Sequence, residues 1–223
     1  MALQLKAFER KSLSYASVYF RSGEIMIDKS IIYKTNELIK WIDEAIRGLE
    51  FQFNHKNIIA ASCLDMSQEH HKAILLLSAN DIFGSALALV RPTFESYIRG
   101  IWIKYCASEN EMNRFKRGKI PDFYILIEEI EKKDAFNCGT LSKIKHNSLK
   151  SMHDYTHTGI KQVTRRIGKE AIESNYDEDE IIEALNFTSS ISCLSAIALC
   201  DIAENVEVAN KILDRFKGDF PNL

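Results

Sequence analysis

Two groups of polar side chains stand out for the chemistry their spacing permits. Arg91, Glu95 and Arg99 recur every four residues inside the apolar run 82–106. At about 100° per residue they share one stripe of a helix, with Trp102 on the same line. Charges in so apolar a segment must be paired or face a cavity, because an isolated buried ion is costly. Glu95 reaches either arginine at i±4, yet one carboxylate balances only one guanidinium. The surplus positive charge suits a carboxylate on another helix or an anionic ligand such as a phosphate. Two uses therefore stand side by side: an internal network that fixes helix register, and an anion or substrate site. Either use places the stripe substantially inside the fold, with Glu95 bonded to at least one arginine.

The second group is His146, Lys150, His153 and His157, which fall within roughly 60° of one another on a predicted helix over 142–157. Leu141, Ile144, Met152 and Tyr155 gather on the opposite side, so the histidine stripe turns to solvent, a groove or a partner subunit. Three uses compete. His153 and His157, four apart, have the spacing of a shortened zinc helix motif, but Asp154 is one carbon short of the usual Glu and no third ligand is evident. No metal or other cofactor is assigned on that basis. A histidine beside Lys150 suits acid–base work on an RNA 2′-hydroxyl or a phosphate. The third use is plain: surface histidines that interact with the end of the helix dipole.

Charge around this helix is lopsided. Between 140 and 170 there are seven Lys and Arg against Asp154 and Glu170, whereas 173–183 holds six acids and no base. The basic stretch suits a phosphate-bearing partner; the acids suit a helix N-terminus. The sequence contains no Gly-rich phosphate loop, dinucleotide fingerprint or nucleophile elbow.

The elements that must position these groups read as helices throughout. Only three Pro and nine Gly interrupt 223 residues, which favours long helices over a many-turned β fold. The 3.6-residue period predicts helices over 35–50, 68–79, 82–106, 122–133 and 142–157. Ser108 with Glu111 and Asp177 with Glu180 have capping-box spacing, opening a short helix and a long one to about 203. Gly159 reads as a C-cap, 160–175 as irregular, and 206–216 as a last short helix. The expected architecture is an all-α single bundle over 31–217 with a long central helix, an N-terminal arm over 1–30 and a tail over 218–223. A net charge of −2 argues against a chain-wide nucleic-acid footprint. Five cysteines, odd in number and without a Cys-x-x-Cys pair, suit a reducing compartment. The start shows no signal-peptide core, and the greasy run 74–90 is broken by Asn80 and Asp81. A cytoplasmic protein with no membrane partner is expected.

Three segments carry a resemblance: Arg-Pro-Thr-Phe-Glu-Ser-Tyr-Ile-Arg-Gly-Ile-Trp at 91–102, Asp-Tyr-Thr-His-Thr-Gly at 154–159, and Gln-Val-x-Arg-Arg at 162–166. They resemble a bacterial family of unknown function marked by an Arg-Pro-x-x-Glu helix and a Tyr-Thr-His-x-Gly motif, over about 68–216. More distantly, such proteins are similar to HEPN-like helical domains, many of them dimeric ribonucleases of toxin–antitoxin and phage-defence systems. The HEPN ribonuclease motif is an Arg, a polar residue, and a His four to six residues beyond the Arg. Here the nearest match is Lys150, Ser151 and His157, with Lys in place of Arg and six residues between.

The resemblance implies an HEPN-like bundle, a homodimer, that engages RNA or a nucleotide and acts as a metal-independent ribonuclease, with an antitoxin or defence component as a protein partner. Its catalytic set would be His157, His153, Lys150 and Glu95. Arg91, Arg99, Tyr155, Thr158, Arg165 and Arg166 would bind substrate. The alternative is a non-catalytic interaction or regulatory module, and a metal-dependent hydrolase stands behind both. If the motifs mark one site, His157 should lie within roughly 10 Å of the Arg91–Arg99 stripe.

Overall fold

Helix follows helix along the whole described chain. The computed structural model describes residues 28–168 and 172–219. It gives α1 Lys29–Ile46, α2 His55–Ser78, α3 Phe83–Tyr105, α4 Glu109–Phe115, α5 Phe123–Glu131, α6 Thr140–Thr156, α7 Ile160–Thr164, α8 Glu178–Ile202 and α9 Val206–Asp219, with a 3-10 turn at Asp134–Phe136 between α5 and α6. The one β feature among the described residues is an isolated bridge between Ile167 and Ile172. The protein is an all-α helical bundle. Of the expected arm, residues 1–27 lie outside the described residues, as do 220–223 of the expected tail.

α3 is the central helix. Phe94, Ile98, Trp102 and Ile103 are fully buried on it, and it packs against α2, α5, α6 and α8. Its closest neighbour is α2, and Gly100 sets that approach: a Cβ there would stand 2.7 Å from Leu64 Cγ, inside van der Waals contact. α8 lies against α1, α2, α3 and α9. By length and composition it is the one described helix able to cross a membrane, but 61% of its most apolar stretch is buried in the bundle. Between α2 and α8 runs a polar seam: Gln68 Nε2 donates to the Ser192 carbonyl, and His71 Nδ1 lies 3.0 Å from Thr188 Oγ1. All five cysteines are free.

Several local expectations change. α2 begins at His55, thirteen residues ahead of the expected start, capped by the Asn54 side chain on the Asn57 N–H. Its first half buries Ala60, Ala61 and Leu64, a short apolar stripe that α3 covers closely. α1 likewise begins six residues early, capped by Asp28. Asp177 does stand at the N-cap of α8, but it makes no side-chain capping bond; its carboxylate is taken by Arg165 at 3.1 Å. At the end of α6 the residue that turns left-handed is Thr158, with φ 55, not Gly159. Gly159 has φ −70 and instead caps the start of α7. The capping box of Ser108 and Glu111 is present as expected.

Pro92 sits inside α3 without ending it. A proline cannot donate to the carbonyl four residues earlier, so the Ala88 carbonyl loses its helical partner. The single hydroxyl proton of Thr156 is shared between that carbonyl at 3.2 Å and Met152 O of its own helix at 2.8 Å. The proline of one helix thus creates the acceptor on which the end of the other docks.

Candidate functional site

Docking α6 on α3 brings the two polar groups together. On α3, Glu95 accepts from Arg91 Nε at 2.6 Å and from Arg99 Nη2 at 2.8 Å. The three side chains are 17%, 19% and 31% exposed respectively, so the stripe is sheltered but open along one side. Burial alone would raise the Glu95 carboxyl; the hydrogen bonds and charges of Arg91 and Arg99 outweigh it and hold the group below its ordinary 4.5. Among the described residues Glu95 is the one carboxylate paired with either arginine. Arg99 Nε is buried with no acceptor. The expected surplus of positive charge therefore exists; of the two arginines Arg91 faces α6, whereas Arg99 lies near Cys63 of α2.

Arg91 Nη1 meets His153 Nδ1 across the interface. A guanidinium has only donors, so the imidazole accepts at Nδ1 and carries its proton on Nε2. The His157 ring lies 4.4 Å from the His153 ring, tilted by 51°. His157 is the C-cap of α6, its N–H bonded to the His153 carbonyl at 3.0 Å. Contact by contact, His157, His153, Arg91, Glu95 and Arg99 form one chain. The expected nearness of His157 to the arginine stripe is realised within a single subunit.

Lys150 and His146 continue the line along α6. Together with Arg91, Lys145, Leu149 and His153 they border an open groove of about 460 Å³ between α3 and α6. His146, Lys150, His153 and His157 are all exposed, while Leu141, Met152 and Tyr155 on the far side are buried. His146, Lys150 and His153 thus border the groove, and His157 adjoins it through the His153 ring. Among the described residues no three His, Cys, Asp or Glu side chains gather as a metal site.

The remaining candidates are placed elsewhere. Tyr155 is 7% exposed and points to the opposite side of α6, where its hydroxyl donates to Glu180. Arg165 bridges Asp177 and Glu180 at 3.1 and 3.0 Å, so its charge is spent locally. Arg166 lies over the Tyr176 ring, 6.0 Å from its centroid. Tyr155 and Arg165 therefore tie the end of α6 and α7 to the start of α8, Arg166 packs with Tyr176 beside Gly84 of α3, and none of the three is brought to the histidine groove. Thr158 is exposed beside His157 and makes the left-handed turn. Trp102, on the arginine stripe in sequence, is fully buried, its Nε1 bonded to Glu129 on α5.

Two residues with clear roles had not been singled out. Thr156 fastens the histidine helix to the proline helix, and the signal for it was present in the orphaned carbonyl that Pro92 must leave. Tyr124 lies under the Lys145 ammonium, 5.6 Å from Nζ to the ring centroid; nothing in the spacing of the sequence joins it to α6.

Residues 64–222 match the profile of a family of unknown function (DUF6988). The chain belongs to this family. The match spans α3, α6 and the groove between them, so every residue of the cluster lies within the family region. No curated protein and no solved structure gives a significant match to the chain.

Proposed function

We propose that this family member is an HEPN-like RNA-binding protein that cleaves its ligand without a metal, at the cluster of His157, His153, Arg91 and Lys150. The observation that carries the reading is the contact chain from Glu95 through Arg91 and His153 to His157, which sets an acid–base group beside cations for which Glu95 is the one paired carboxylate among the described residues. In the reaction His157 takes the proton of the 2′-hydroxyl as O2′ attacks phosphorus. The P–O5′ bond breaks, and His157 returns that proton to the departing 5′-oxygen. The products are a 2′,3′-cyclic phosphate and a 5′-hydroxyl, and no co-reactant is consumed. Arg91 and Lys150 counter the charge that builds on the phosphoryl oxygens, where fixed cations act most strongly. Glu95 acts through Arg91 and is a positioning residue.

The test is RNA degradation in excess chelator, with His157→Ala expected to slow it by about a hundredfold or more. Intact RNA after incubation with the wild-type protein would refute the ribonuclease reading. Cleavage abolished by the chelator would instead call for a metal held by His153 and His157. A second reading, a protein-binding module, is favoured by one feature: Ile160, Ile167 and Ile172 are 61–70% exposed around α7, beside the histidine end of α6. Wild-type protein that neither binds nor cleaves RNA would leave that reading in place.

A further inference from the structure

The groove does not stop at the cluster. Its border of Arg91, Lys145, His146, Leu149, Lys150 and His153 holds no carboxylate, so an anion entering it meets one sign of charge. At the end away from His157, the Lys145 ammonium stands over the ring of Tyr124 on α5. Tyr124 is 47% exposed, a large aromatic face that the core does not use. From Lys145 to His157 the helix advances about 18 Å, the reach of roughly four nucleotides of extended strand. A positive groove that ends on a half-exposed aromatic ring capped by a lysine has the two parts of a single-strand site once the Lys145 ammonium moves from the ring to a phosphate: charge that follows phosphates and a face on which a base stacks without regard to its identity.

We infer that the groove holds a single-stranded RNA segment of about four nucleotides, with one base stacked on Tyr124, Lys145 and Lys150 on successive phosphates, and the scissile phosphate beside His157. The inference rests on RNA being the ligand of the cluster. A duplex does not satisfy it, because its bases are stacked on one another and present no free face to Tyr124.

The test uses the whole chain and a fluorescent 2′-O-methyl hexanucleotide, which lacks the hydroxyl proton and so binds without being cut. Anisotropy should show Tyr124→Ala and Tyr124→Leu weakening binding about tenfold, as loss of one stacked base does, while Tyr124→Phe keeps wild-type affinity. The same sequence as a duplex should bind at least tenfold more weakly. Affinity untouched in Tyr124→Ala, equal competition by the duplex, or no binding by the wild type would each overturn the single-strand track. Tyr124-independent binding together with His157-dependent cleavage would sink the track and leave the catalytic proposal standing. Tyr124-dependent binding of an RNA that is never cut would do the reverse.

Discussion

Replacing Glu95 by Ala tests whether the arginine stripe is a built network or a surface decoration. The substitution removes the acceptor of two ion pairs at 2.6 and 2.8 Å and leaves two guanidiniums about two turns apart on one face of α3. Breaking a fully buried pair costs about 3–5 kcal/mol, and an exposed pair contributes about 1 kcal/mol or less. With 17–31% of these side chains exposed, solvent screens part of the repulsion, and the two pairs together should be worth about 2 kcal/mol. For a domain of this size that is a fall of roughly 6 °C in Tm, measured by circular dichroism and checked by urea titration. Glu95→Gln, which keeps the shape and one acceptor, should fall between the two. The sign with pH follows from the depressed carboxyl: its stabilising share is complete above the ordinary 4.5 and is lost as pH falls through the lower folded value. Wild type should therefore lose stability on acidification below that point, and Glu95→Ala should lack that component. A variant within about 0.5 kcal/mol of wild type, with the same acid profile, would refute the network.

Thr156→Val, which keeps the shape but not the hydroxyl, should cost about 1–2 kcal/mol by leaving the Ala88 carbonyl without its donor; Pro92→Ala should shrink that cost, since the helix then supplies the missing bond, and a double-mutant cycle measures the coupling. His71 is wholly buried beside Thr188, and burial first, with the Lys72 charge adding to it, pushes its imidazole down to about 3 from the ordinary 6.5. The unfolded chain then takes up the proton first, so stability should fall by about 1.4 kcal/mol per pH unit as pH drops below 6.5. Urea titrations between pH 6.5 and 5, above the carboxylate range, should show that slope in wild type and lose it in His71→Leu; an unchanged slope would mean the imidazole is not held neutral.

Much of this protein was legible before any coordinate. The i, i+4 repeat of Arg91, Glu95 and Arg99 required the pairing that Glu95 makes, because spacing on one helix is fixed by 3.6 residues per turn. The opposed faces of α6 were equally plain, and Leu141, Met152 and Tyr155 are indeed buried. The box of Ser108 and Glu111 formed because its two partners are three residues apart and need nothing else. The first half of α2 was missed although the run 58–64 is largely apolar; the burial of Ala60, Ala61 and Leu64 depends on α3 approaching at Gly100.

What the sequence by itself determined was therefore local: which residues share a helix face, where most helices begin and end, and that the arginine stripe carries more positive charge than Glu95 can balance. Which stripe meets which was left to the tertiary structure. Arg91 and His153 are 62 residues apart, and no periodicity reports a contact across that distance. It was set by the packing of Met152 and Tyr155 with Leu87 and Val90, with Thr156 adding a bond to the carbonyl that Pro92 frees. Helical periodicity had already put Tyr155 on the far face of α6; the tertiary structure gave that face its partner, Glu180, and drew Arg165 to the same carboxylate, away from the groove. Helical periodicity follows from backbone geometry that each segment carries alone, whereas a site between helices exists only once their buried faces have chosen one another.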